Sequence, residues 1–81
     1  SFMDYGMFIQ SIMLSAVEKG LATCPQAALG EYPDIVRQEF PEYKDKMVLC
    51  GLALGYEEKD QVVNSYRTPR EDISRFVRYY N

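Results

Sequence analysis

An 81-residue chain with 47% apolar and 14% aromatic residues is one small domain at most, and such a domain hides only about 60 to 65% of the surface its unfolded chain exposes. This much apolar side chain therefore implies a partner surface. Nine Lys and Arg against twelve Asp and Glu give a net charge of −3, which leaves no electrostatic case for nucleic acid or an anionic membrane as partner.

The chain has no histidine, and its two cysteines, Cys24 and Cys50, form no C-x-x-C pair. Histidine-based nucleophile arrangements and general bases are excluded, and a zinc or dithiol centre has no support. The thiols read as buried and free. Apolar runs are too short and interrupted to cross a bilayer, and the start lacks the basic residues of a signal peptide. A cytoplasmic, reducing setting is the expectation. The first residue is Ser1 rather than Met, and helical sequence follows at once, as in a piece of a longer protein.

Over residues 2–19, Tyr5, Phe8, Ile9, Ile12, Met13, Ala16 and Val17 recur at spacings of three and four, which predicts a helix. Met7 and Leu14 widen its apolar surface beyond one stripe, so the helix needs two packing partners. Ser1 or Asp4 suits its N-cap, and Gly20 suits the left-handed residue that closes its C-terminus. A Met-rich helical face of this kind is core more often than a cofactor box.

Residues 20–28 read Gly-Leu-Ala-Thr-Cys-Pro-Gln-Ala-Ala, a proline-rigidified loop. Pro25 removes one donor and fixes its φ, so the amides of Gln26, Ala27 and Ala28 follow a restricted path. Small side chains at Ala27 and Ala28 permit close backbone approach. The loop either presents N–H groups to a flat polar ligand or simply connects helix to strand.

A short helix is expected over residues 33–40, with Pro33 at its first position, Ile35, Val36 and Phe40 facing inward, and Pro41 ending the run. Residues 46–56 form a continuous apolar stretch bounded by charge, read as a strand buried on both faces, with a helix as the alternative. Gly51 within it marks close approach by a backbone, an aromatic ring or a ligand. After a polar connection over residues 57–63, Thr68 as N-cap, Pro69 at the first position and Glu71 completing a capping box predict a C-terminal helix bearing Ile73, Phe76, Val77 and Tyr80. Arg67 and Arg70 bracket its start, either as an anion site or as surface arginines.

Four segments in this order carry a family likeness: Ser1-Phe2-Met3-Asp4-Tyr5-Gly6 through Gln10, Gly20-Leu21-Ala22-Thr23-Cys24-Pro25-Gln26-Ala27, Leu49-Cys50-Gly51-Leu52-Ala53-Leu54-Gly55-Tyr56, and Arg67-Thr68-Pro69-Arg70. Together they resemble the C-terminal portion of the nitroreductase family, over essentially the whole chain. The resemblance implies an α+β fold: a long apolar core helix, a short helix, a buried strand and a C-terminal helix, in a single partial domain over residues 1–81. The family's N-terminal half is absent.

It also implies an FMN-dependent oxidoreductase acting in ping-pong order, with NAD(P)H as donor, a nitroaromatic or quinone as acceptor, and a homodimer with flavin at the subunit interface. Flavin carries the chemistry, so no catalytic side chain is required. By the same resemblance the Pro25 and Gln26 loop lies against the isoalloxazine ring. Ala27 presents its N–H to flavin N5, Ala28 lies near the flavin carbonyl, and Arg67 contacts the phosphate. The competing expectation, from the apolar excess alone, is a non-catalytic module that self-associates through its first helix.

Overall fold

Ser1 begins the first element by accepting a hydrogen bond from the Asp4 N–H at 3.3 Å, and the helix α1 (Phe2–Glu18) follows. The computed structural model describes residues 1–81. At the other end of α1, Gly20 takes a φ of 75°. The Leu21 N–H reaches the Ala16 carbonyl at 2.9 Å, and the Gly20 N–H reaches Val17 at 3.0 Å. These two bonds satisfy carbonyls that a helix end leaves orphaned, and the left-handed residue they require favours glycine.

The inward stripe of α1 is Ile9, Ile12, Met13 and Ala16, at steps of three, one and three. Ala16 is buried at 5% exposure and the other three are half-buried. Phe8 and Val17 remain 63% and 69% exposed. Complete burial of a large apolar side chain contributes about 1.5–3 kcal/mol. The half-buried stripe realises only part of that, so the chain itself gives α1 one partner of the two its apolar surface calls for.

That partner is a two-stranded antiparallel sheet. Strand β1 (Ala22–Gln26) pairs with β2 (Gly51–Gly55), from Ala22 opposite Gly55 to Gln26 opposite Gly51. Residues 22–26 are thus a strand and not the expected loop. Pro25 is compatible because each strand of a two-stranded sheet is an edge, and a proline nitrogen can face away from the partner. Cys24 on β1 is exposed and Cys50 half-exposed, both as free thiols, so the expectation of buried thiols fails.

Between the strands lie α2 (Ala28–Glu31), α3 (Pro33–Glu39) and a 3-10 turn over Pro41–Tyr43. Helix α3 matches expectation, with Pro33 at its start and Pro41 beyond its end. Only Val36 of its apolar residues is half-buried; Ile35 and Phe40 are exposed. Arg37 ties α3 down instead, donating from Nη2 to the Lys46 carbonyl at 3.0 Å and from Nη1 to Asp34 at 3.4 Å.

The apolar run at residues 46–56 becomes a strand only over Gly51–Gly55. Residues paired with 47–50 would have to come from 27–30, where the chain has already turned into α2. The strand is also not buried on both faces, since Ala53, Leu54 and Gly55 are exposed.

Beyond β2 the chain carries 3-10 turns at Val62–Asn64 and Ile73–Arg75, and the expected C-terminal α-helix does not form. Thr68 Oγ1 accepts from Arg70 at 2.7 Å, and Glu71 pairs with Arg75 at 3.0 Å. Asp72, not Thr68, caps the final turn through the Ser74 N–H at 3.0 Å. Ile73 and Phe76 are exposed, and a short helix with no packing surface is marginal in water.

The whole chain exposes 7890 Å², against about 5,000 Å² for a folded monomer of its mass. Its radius of gyration is 16.9 Å, where a closed domain of this length has about 12 Å. The excess surface is of the size that obligate interfaces cover.

Candidate functional site

The junction of β1 and α2 is where the chain offers backbone donors. Pro25 and Gln26 end the strand, Ala27 is the N-cap of α2 with φ −64° and ψ −30°, and Ala28 is its first residue. All four are exposed. The opening N–H groups of a helix lack intrahelical acceptors, and the first internal bond here runs from the Gly30 N–H to the Ala27 carbonyl at 2.9 Å. Methyl side chains at Ala27 and Ala28 leave this backbone open to a flat ligand. These residues thus lie on a strand-to-helix turn and not in the expected loop.

Arg67 lies in an irregular segment, exposed, between the 3-10 turns. None of the three ion pairs in the chain involves it, so its guanidinium is available to an anion. Asn64, three residues earlier, lines a shallow cavity of about 300 Å³ with Ala22, Thr23, Cys24 and Tyr56. That cavity lies at the Ala22–Gly55 end of the sheet, whereas Ala27 and Ala28 leave from the Gln26–Gly51 end. The structure gathers Pro25, Gln26, Ala27 and Ala28 into one surface, and no hydrogen bond or ion pair joins Arg67 to them.

Two close approaches shape this region. Gly30 lies directly against the Leu49 carbonyl, and the space beside Gly51 is filled by the Leu29 side chain. Gly51 read as a point of close approach, and the occupant is an aliphatic side chain. For Gly30 the only signal is the glycine itself, because its neighbour lies nineteen positions on in the chain.

A second surface is mainly apolar. Tyr5, Phe8 and Ile12 of α1 face Met47, Leu49 and Leu52 across an open groove of about 320 Å³. No group of acidic, cysteine or histidine side chains is arranged to hold a metal ion, and no helix is long and apolar enough to cross a membrane.

A long helix against a small antiparallel sheet defines an α+β unit. The profile described as "Nitroreductase family" matches residues 1–56, and the chain belongs to that family.

Over 79 residues the chain is 35% identical to 4-nitrobenzoate reductase of Pseudomonas putida, covering 98% of this chain and 35% of the relative. It is 37% identical over 76 residues to nitroreductase NfnB of Mycolicibacterium smegmatis, covering 94% and 32%. The crystal structure of the FMN-dependent nitroreductase NfnB from Mycobacterium smegmatis, in complex with NADPH, superposes with a TM-score of 0.91 at 36% identity, over 96% of this chain and 35% of that one. The chain therefore spans about a third of the length of these relatives.

Proposed function

We propose that residues 1–81 are a single partial domain, the C-terminal part of a cytoplasmic, homodimeric, FMN-dependent NAD(P)H oxidoreductase of nitroreductase type. When bound, FMN supplies the hydride chemistry, from NAD(P)H to a nitroaromatic or quinone-like acceptor in ping-pong order. The chain's own residues bind and orient. Ala27 and Ala28 offer backbone N–H donors to the ring, Pro25 and Gln26 form the surface it lies on, and Arg67 supplies positive charge for the phosphate.

The donor set fits such a group in part: exposed amides with methyl neighbours and one guanidinium without an internal partner. The remaining contacts belong to the longer parent, and the 81-residue chain by itself is expected to be inactive. The observation that carries this reading is the agreement over 96% of the chain with an FMN-dependent nitroreductase at a TM-score of 0.91.

The test is a flavin-fluorescence titration of the purified chain with FMN, beside Arg67→Ala. Saturable uptake, weakened about tenfold or more by loss of the charge-assisted contact, is the expected result. Equal affinity in the two proteins overturns the phosphate assignment. The exposed apolar surface also favours a second reading, a non-catalytic self-associating module, which predicts association by light scattering with no FMN uptake at any concentration.

A further inference from the structure

Helix α2 is a single turn of four residues, and a turn that short does not hold its own conformation in water. The path of the Ala27 and Ala28 amides is therefore decided by whatever α2 is docked on. Two glycines stand at that contact. The space a Cβ would need at Gly30 is taken by the Leu49 carbonyl, with its carbon at 3.0 Å and the Val48 oxygen at 3.4 Å. The space beside Gly51 is taken by Leu29, whose Cγ would lie 3.2 Å from a Cβ, with Gln26 Oε1 at 3.6 Å. Gly55, in the same strand as Gly51, has nothing within 4 Å of the equivalent position.

We infer that Gly30 and Gly51 are positioning residues: their missing side chains let α2 seat against the stretch from Val48 to Gly51, and this seating sets where the Ala27 and Ala28 amides point. The two contacts differ in kind. At Gly30 the obstacle is backbone, which cannot move aside without shifting the strand approach. At Gly51 it is the far end of a leucine, which truncation removes. The inference rests on the reading of those amides as ligand-facing.

The test combines amide hydrogen exchange at residues 30 and 31, where the first hydrogen-bonded amide of α2 lies, with FMN titration, in Gly30→Ala, Gly51→Ala, Leu29→Ala, the two glycine changes each combined with Leu29→Ala, and Gly55→Ala as the control of equal chemistry. Gly30→Ala should speed exchange there about tenfold or more, the usual consequence of overpacking a close backbone contact, and Gly51→Ala should do so by a smaller factor, because the end of Leu29 can move aside. FMN affinity should fall in parallel, while Gly55→Ala leaves both unchanged. Gly51→Ala with Leu29→Ala should exchange no faster than Leu29→Ala alone, whereas Gly30→Ala should add its full effect to Leu29→Ala.

Exchange in Gly30→Ala and Gly51→Ala matching the Gly55→Ala control overturns the inference. Faster exchange with unaltered FMN affinity overturns the link to the ligand. An unsubstituted protein that takes up no FMN fails the functional reading instead, and the exchange pattern still decides whether the glycines seat α2.

Discussion

Residues 1–56 and residues 57–81 behave as two kinds of chain. In the first, elements distant in sequence touch: α1 lies on β1, β1 pairs with β2 across some thirty residues, and α2 seats on β2. In the second, every side-chain hydrogen bond joins residues no more than six positions apart, and the helical elements are three-residue 3-10 turns. Both regions are rich in large apolar side chains, Tyr79 and Tyr80 reaching 82% and 88% exposure. Apolar content alone does not make a fold; it needs a facing surface within reach. The family profile also ends at residue 56, just past the last strand, β2.

The largest effect separating the regions is expected at Gly20. Its φ of 75° costs a residue with a Cβ about 1–2 kcal/mol, so Gly20→Ala should lower the thermal midpoint by several degrees. A midpoint equal to the unsubstituted chain would mean that the helix closure is not held as described. Next comes Arg37→Ala, which removes the hydrogen bonds to the Lys46 carbonyl. For this half-exposed group about 1 kcal/mol is expected by denaturant titration, and a loss below a few tenths would show the link to be ornamental.

Thr68→Ala sharpens the contrast from the other side. As a helix N-cap, Thr68 would cost about 1 kcal/mol on removal; placed as it is, paired only with Arg70, its loss should stay within about 0.5 kcal/mol. The smallest effect concerns Asp72. Hydrogen bonds first from the Ser74 backbone N–H and then from the Ser74 hydroxyl hold its carboxyl below the usual carboxylate range.

A carboxylate with a folded-state pKa below its unfolded one stabilises the fold above the unfolded value, and that contribution fades as pH falls through the lowered one. Exchange of the Ser74 amide should therefore quicken at acid pH relative to its neighbours, and Asp72→Asn should abolish that dependence. An unchanged acid profile in Asp72→Asn would remove the carboxylate from the account.

The elements legible in the sequence are those whose causes are local. Helix α1 follows from its apolar period and from Gly20 just beyond its end, and α3 from Pro33 at its start and Pro41 past its end. Strand β1 escaped because Pro25 and the small residues around it carry loop signals, while the ladder that makes it a strand comes from Gly51–Gly55. The C-terminal helix fails from the opposite cause: Thr68, Pro69 and Glu71 have the spacing of a helix start, with no surface for Ile73 and Phe76 to pack on. Of the candidate site, Pro25, Gln26, Ala27 and Ala28 do form one exposed surface, but on a strand-to-helix turn. Arg67 stands apart from it.

The order of segments by itself determined the family and, through that likeness, the α+β class, while the first helix with its closing glycine depends on residue identity and near spacing. Only the tertiary structure decided that residues 22–26 are a strand, that the apolar run at 46–56 pairs over just five residues, and that Gly30 and Gly51 seat α2. Those outcomes depend on which backbone arrives opposite which, across separations of about twenty residues or more, where no local propensity reaches.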